Sequence, residues 1–252
     1  MKKVLIGYSG LVGSSLNHNK FDLLINRKNI SEFTNTNPEV SELYISAGDA
    51  RKWMAKKDEN KFRSDSEELI KKIVKINAKK VILFSTIDVY DGQLEVTEKD
   101  IPNPIHPYGK VSLEKENQIL NSFSNVRIIR LPGLFSKNLS KNFIFDLLNN
   151  REEYIYNQNL NSTYQYFDLS RLESFMVDFK KNKSNIINLV TEPISIYDII
   201  SACKSSFFVE SNFNKSNLLN YDVRSVNFSN GYHLNRNEVL NDLNLFFKNY
   251  AK

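Results

Sequence analysis

Three glycines near the start of the chain carry the first chemical signal. Gly7-Tyr8-Ser9-Gly10-Leu11-Val12-Gly13 follows a short apolar run, Lys3 to Ile6, and leads into Leu11 to Leu16, which reads as a helix. Between a strand and a helix, the first glycine permits a tight turn. The second lets the backbone approach a diphosphate, and the third lets the helix pack on a sheet. Gly7, Ser9, Gly10, Leu11, Val12 and Gly13 are therefore candidate contacts to a dinucleotide, made by backbone amides at a helix N-terminus. A glycine-rich surface turn is the bland alternative. About 20 residues past the first glycine, where an NAD site carries an acid for the ribose hydroxyls, stand Asn26 and Arg27. An Arg there can meet a 2′-phosphate, which favours NADP over NAD; the alternative is a solvated edge made of Arg27 and Lys28.

Other chemistries find little support. The single cysteine, Cys203, excludes a disulfide scaffold and a Cys-based zinc site, and it fits a reducing compartment. His18, His106 and His233 lie far apart with no ligand spacing, so no metal is expected. His106 could move protons near neutral pH, although a loop histidine beside a proline is more often surface. Arg51 and Lys52 follow the third apolar run, on the edge where open α/β sheets bind ligands. A catalytic cation there competes with a solvated loop anchored by Trp53.

The elements that must position these residues alternate. Asp22 to Ile25 and Leu43 to Ser46 are further apolar runs, the latter closed by Ala47-Gly48. A helix with its start at Ser64-Asp65 repeats apolar residues through Ile76, with Lys71, Lys72 and Lys75 on the other face. Lys80 to Phe84 is a fourth strand, Ser112 to Phe123 a helix, and Val126 to Leu131 a fifth strand. Near-continuous apolar strands between amphipathic helices predict an α/β fold with a doubly wound parallel sheet. Beyond Lys137 the pattern loosens into a small α+β portion. Helices are expected at Asn142 to Asn149, Arg171 to Phe179, Ile196 to Phe207 and Glu238 to Tyr250, with a strand near residues 185–190 that completes the sheet. The expected division is a nucleotide-binding core over residues 1–137 and a smaller substrate portion over 138–252. There, Tyr164, Tyr166 and Phe167 could stack on a base or sugar with Gln165 offering hydrogen bonds, or they could alternate in and out of a core strand.

Composition sets the outer bounds. With 252 residues, 41% hydrophobic and 25% charged, the chain has an ordinary globular composition and needs no staples. The net charge of +5 is spread among interleaved acids and bases, which reads as solubility rather than a nucleic-acid stripe. Met1-Lys2-Lys3 begins like a signal peptide, but glycines break the apolar run and no cleavage site follows. No run of about 18 apolar residues exists, so no membrane partner and a cytoplasmic location are expected.

Ser85-Thr86-Ile87-Asp88-Val89-Tyr90 ends the fourth strand, and His106-Pro107-Tyr108-Gly109-Lys110-Val111-Ser112 opens a helix. With the glycine turn and Arg130-Leu131-Pro132-Gly133, these resemble the extended short-chain dehydrogenase/reductase family of NAD(P)-dependent sugar epimerases and dehydratases. The resemblance spans roughly residues 1–135 and continues more faintly through Tyr166-Phe167-Asp168-Leu169. It implies that Thr86 holds the substrate oxygen and that Tyr108 is the general acid/base. It further places Ala47, Gly48, Ser85, Pro132 and Gly133 along the cofactor, and implies that helices after the third and fourth strands pair across a homodimer.

One position departs from the family pattern. Ser112 stands where the family carries a Lys whose ammonium lowers the phenol pKa and bonds the nicotinamide ribose; Ser112 can still bond a hydroxyl but supplies no charge. Lys110 is about 200° away around the helix, and Lys115 lies about 10 Å further along its axis than Tyr108. Asp-Glu, expected of a dehydratase directly after Thr86, is replaced by Ile87-Asp88. The expected function is thus an NAD(P)-dependent reductase or epimerase acting on a sugar or nucleotide-sugar hydroxyl or ketone. The alternative is an NADP-binding sensor or scaffold without turnover.

Overall fold

The computed structural model describes residues 2–203 and 210–250. They form two compact units, and the chain passes between them more than once. The first comprises residues up to Asp91, Asp100–Leu131 and Arg171–Asn188. The second comprises Gly92–Lys99, Pro132–Ser170 and the residues from Leu189 onward.

The first unit holds strands β1 (Lys2–Ile6), β2 (Leu23–Ile25), β3 (Glu39–Ile45), β4 (Asn77–Ala78), β5 (Val81–Thr86), β6 (Val126–Leu131) and β7 (Ile186–Asn188). Its helices are α1 (Ile30–Asn35), α2 (Lys52–Lys57), α3 (Glu59–Ile73), α4 (Pro107–Ser122) and α5 (Leu172–Phe179). The strands form a single parallel sheet in the order β7-β6-β5-β3-β1-β2, with β4 added along β3. Every residue of β5 and β6 is buried, as a strand covered on both faces requires. Val4, Leu43, Ile45, Leu83 and Ile128 share one core with Ile70 and Ile73 of α3 and Ile119 of α4. This is the doubly wound, Rossmann-like architecture expected from the alternating pattern. The strand order reverses between β1 and β3, which opens a crevice at their carboxyl ends. Among the described residues only β2 lies beyond β1, one strand fewer than the usual half-sheet on that side.

Several local boundaries differ from the sequence reading. The helix expected over Leu11 to Leu16 is absent; a three-residue 3₁₀ turn, Gly13–Ser15, takes its place. The Ser14 and Ser15 hydroxyls donate back to the Leu11 carbonyl at 3.2 and 3.0 Å, and Asn17 then caps a second 3₁₀ turn. Serines that bond locally to backbone compete with helix propagation. Helix α3 starts ahead of Ser64, because the Asp58 carboxylate accepts from the Lys61 amide at 2.9 Å. The Arg51-Lys52-Trp53 loop is instead the start of α2, and Trp53 is exposed rather than an anchor. Helix α4 begins at Pro107 rather than Ser112, since proline suits the first helical position. The helix from Ile196 is described to Cys203; its expected last residues lie outside the described ones.

A buried ion pair fastens α4 to the sheet. Arg130 on β6 donates from Nε and Nη2 to the Glu116 carboxylate of α4 at 2.6 to 3.2 Å, and from Nη1 to the Tyr90 hydroxyl at 2.5 Å. The two charged side chains are only 4% and 1% exposed.

The second unit pairs Gly133–Phe135 with Tyr166–Asp168, Thr163–Tyr164 with Ile194–Ser195, and Leu94–Val96 with Asp222–Val223. Gln165 is buried and staples it, donating to the Thr191 and Val223 carbonyls at 2.6 and 2.8 Å and accepting from the Val223 amide at 2.9 Å.

Breaking the Arg130–Glu116 pair leaves an uncompensated buried charge, so Arg130→Met should cost about 3–5 kcal/mol in denaturant unfolding. Combining it with Glu116→Leu should recover most of that loss; equal destabilisation in the single and double variants would contradict the assignment.

Candidate active site

The glycine turn is built by close packing on two glycines and left open at the third. A Cβ on Gly7 would stand 2.7 Å from the Ala47 amide nitrogen, and Gly7 has a positive φ of 90°. A Cβ on Gly13 would meet the Gly7 carbonyl at 2.2 Å. At Gly10 the nearest atom would be 3.4 Å away, so packing within the chain does not demand that glycine. Gly10 faces the crevice. A side chain there would narrow the crevice at a backbone turn, the kind of place where a diphosphate can be cradled. No helix dipole assists, because no α-helix follows. What remains is the turn's own amides: those of Ser9, Leu11 and Val12 donate to no acceptor among the described residues.

The crevice is a cleft of about 580 Å³, within the range of small-molecule and cofactor sites. Its walls include Gly7, Ser9 and Gly10 from the turn after β1, Asn26 and Arg27 after β2, and Ala47 and Gly48 after β3. Val111, Ser112 and Lys115 of α4 close the far side, with Met54 and Phe62 above. Leu11, Val12 and Gly13 are not wall residues; Gly13 is buried beneath the turn. Asn26 is committed to the corner itself: its Nδ2 donates to the Tyr8 hydroxyl at 3.1 Å and its Oδ1 accepts from the Lys28 amide at 2.8 Å. Arg27 is exposed on the wall. Ser85 is buried off the wall, its hydroxyl without a hydrogen-bond partner. Pro132 and Gly133 belong to the second unit, where a Cβ on Gly133 would strike the Tyr166 ring at 2.8 Å.

Thr86 and Tyr108 come together next to this cleft rather than on its wall. Thr86 ends β5, and Tyr108 sits in the first turn of α4, where the His106 ring Nδ1 accepts the Tyr108 amide at 3.1 Å. His106 is thus a helix cap. The Thr86 and Ser112 hydroxyls both approach the phenol closely enough to lower its pKa. Asp88 joins the cluster: Thr86 Oγ1 donates to Asp88 Oδ2 at 2.9 Å, and the Lys52 ammonium pairs with Asp88 Oδ1 at 2.6 Å. The same ammonium lies 6.0 Å from the Tyr108 ring centre, while Phe62 packs edge-on against that ring at 6.2 Å.

These contacts set the acidity of the phenol. Burial comes first and the Asp88 charge second, and together they push Tyr108 up to about 12. Lys52 and the two hydroxyls pull the other way without winning. Asp88 and Lys52 are the residues that sequence reasoning missed or left undecided. Their signals were faint: an acid two residues past Thr86, and a lysine opening a helix after β3.

The aromatic candidates of the second unit serve packing. Tyr166 and Phe167 are buried, Tyr164 stacks on Tyr221 with ring centres 5.6 Å apart, and His233 packs between Phe167 and Phe228. Arg236 pairs with Asp198 at 2.5 Å. Among the described residues, no helix is long and apolar enough to cross a membrane, and no group of three His, Cys, Asp or Glu gathers around a common point.

Comparison with known proteins agrees with the motif resemblance. Residues 55–159 match the model of the family described as RmlD substrate binding domain. No curated protein matches the sequence. The fold is shared with dTDP-4-dehydrorhamnose reductase from Yersinia enterocolitica, at TM-score 0.74 and 15% identity over 99% of this chain and 100% of that one. UDP-glucose 4-epimerase from Thermotoga maritima, solved with UDP-glucose, aligns at TM-score 0.75 and 12% identity over the whole of both chains. A UDP-glucuronic acid 4-epimerase mutant from Bacillus cereus, solved with NAD and a fluorinated UDP-sugar, aligns at TM-score 0.64 and 18% identity, over 80% of this chain and 82% of that one.

The phenol assignment can be checked without substrate. With ¹³C-labelled tyrosine and Tyr108→Phe to identify the signal, Tyr108 should stay un-ionised past pH 10, where a free phenol is half-titrated. Asp88→Asn should bring its ionisation to lower pH, and Lys52→Met should push it higher. Ordinary titration near pH 10 in the wild type would refute the charge balance described here.

Proposed function

We propose that this chain is an NADP-dependent reductase acting on a nucleotide-sugar ketone, with Tyr108 as proton donor. The observation that carries the reading is the meeting of the Thr86 and Tyr108 hydroxyls at the carboxyl end of β5, beside the cleft that the glycine turn opens. The Ser9 amide, with Gly7 and Gly10 giving access, would hold a diphosphate at the cleft wall. Arg27 would meet the 2′-phosphate, and Ala47, Gly48 and Ser112 would line the path toward Tyr108. When bound, a nicotinamide supplies the hydride.

The chain's own residues handle the oxygen. Tyr108 donates a hydrogen bond to the ketone oxygen and releases its proton as the oxygen gains charge. Thr86 supplies a second donor when its hydroxyl turns from Asp88 to the substrate. Lys52, paired with Asp88 at 2.6 Å, only partly offsets the Asp88 charge, so the phenol regains its proton readily after each turn. This balance supports reduction over epimerisation, because epimerisation begins with an ionised phenol accepting a proton. Burial and Asp88 oppose that state. The structural neighbours include one reductase and two epimerases, so the direction rests on the acidity of the phenol. A binding-only sensor or scaffold is the second reading, favoured by the uncharged Ser112.

NADPH consumption with a panel of nucleotide-sugar ketones tests the proposal. Tyr108→Phe should lower kcat by about 10²- to 10⁴-fold while leaving NADPH affinity unchanged. Ketone reduction should be flat between about pH 6 and 9, and alcohol oxidation should climb toward tenfold per pH unit. NADPH binding without turnover on any substrate, indifferent to Tyr108→Phe, would support the sensor reading instead. Arg27→Ala should weaken NADPH about five- to tenfold and leave NADH unchanged, as measured by calorimetry.

A further inference from the structure

Lys115 stands on the cleft wall in a position that the protein itself does not use. Seven residues past Tyr108, it returns to within about 20° of the same face of α4. Its Cα lies about 4.5 Å along the axis from Ser112, and helical side chains lean toward the N-terminus, the direction of that short serine. The ammonium crosses to the turn after β3, where a Cβ on Gly48 would lie 3.4 Å from Nζ. Gly48 follows Ala47, whose amide packs against Gly7, so the lysine tip faces the same stretch of cleft as the glycine turn.

Among the described residues no acid pairs with this charge. The neighbouring Glu116 is turned into the sheet, with both carboxylate oxygens taken by Arg130. Asp49, beside Gly48, is held by Arg51 through contacts of 2.5 to 3.0 Å. Lys115 has no hydrogen bond or ion pair among the described residues. Burial pulls its pKa below the usual lysine range, and the nearby Glu116 charge offsets this only in part. Such a group is costly unless an anion arrives.

We infer that the Lys115 ammonium is a ligand for the diphosphate of a dinucleotide seated in this cleft, an assignment that rests on the cofactor reading above. A compact ammonium suits a phosphate oxygen, and the missing side chain at Gly48 leaves room for one. Lys115 thereby restores, from one helical turn further along, a cation to the helix whose motif position holds Ser112.

Calorimetric titration with NADPH, ADP-ribose and adenosine 2′-phosphate tests it on wild type, Lys115→Met and Lys115→Arg. Lys115→Met should weaken both diphosphate-containing ligands about 10- to 100-fold and leave adenosine 2′-phosphate within about twofold. Lys115→Arg should retain most of the affinity. The ligand-free melting temperature of Lys115→Met should hold or rise, because no contact is lost; a marked fall would mean a structural role and overturn the inference. Unchanged NADPH affinity in Lys115→Met overturns it while leaving the cofactor reading intact, and so does a loss confined to NADPH and absent with ADP-ribose. A wild type that binds neither NADPH nor NADH refutes the cofactor reading itself.

Discussion

The buried Arg130–Glu116 pair is the constraint on which the site depends. It joins the middle of α4 to β6, and its third partner, Tyr90, lies just past the end of β5. Thr86, Asp88, Tyr108, Ser112 and Lys115 are all carried by these same elements. A buried ion pair is a poor source of net stability, yet it tolerates few alternative geometries, since each hydrogen bond left unmade costs desolvation. Helix α4 is therefore held in one register against the sheet. That register decides which of its residues meet the end of β5 and which meet the cleft.

Charge is distributed along α4 in an unusual way. Near its first turn the field is set by an acid, Asp88, which is half-answered by Lys52 from α2. Farther along, the Lys115 ammonium has no ion-pair partner among the described residues and feels Glu116 only at a distance. A single lysine four residues past the tyrosine would tune the phenol and grip a cofactor at once. On the proposed reading those tasks would fall to separate groups at separate heights on the helix. The consequence for chemistry is a phenol that holds its proton.

The nucleotide end is equally economical. Without a helix behind the glycine turn, an anion there meets a few amides rather than a macrodipole. The half-sheet beyond β1 has one strand, so the outer wall of the cleft is made of side chains such as Arg27 and of the α2–α3 segment. On the proposed reading, cations on side chains would carry more of the work of anion binding than they would on a longer scaffold.

What the sequence determined by itself was the parallel sheet and the identity of its loops. Runs such as Val81 to Phe84 and Ile128-Ile129 put apolar residues on both faces, and only a sheet covered on both sides accommodates that. The glycines at 7, 10 and 13, and the pairing of Thr86 with Tyr108, were legible because motif spacing is local and survives without coordinates. Three things were decided only in three dimensions. The turn at Gly13–Ser15 became 3₁₀ because two serine hydroxyls bonded backbone, a competition that periodicity does not register. Gln165, read as a candidate substrate ligand, became a core staple because two distant segments, around Thr191 and Val223, closed on it. Lys52 and Lys115 took their places because a lysine's reach is longer than the spacing rules of a helix allow for, and where its tip ends depends on which neighbours have already claimed the nearby acids.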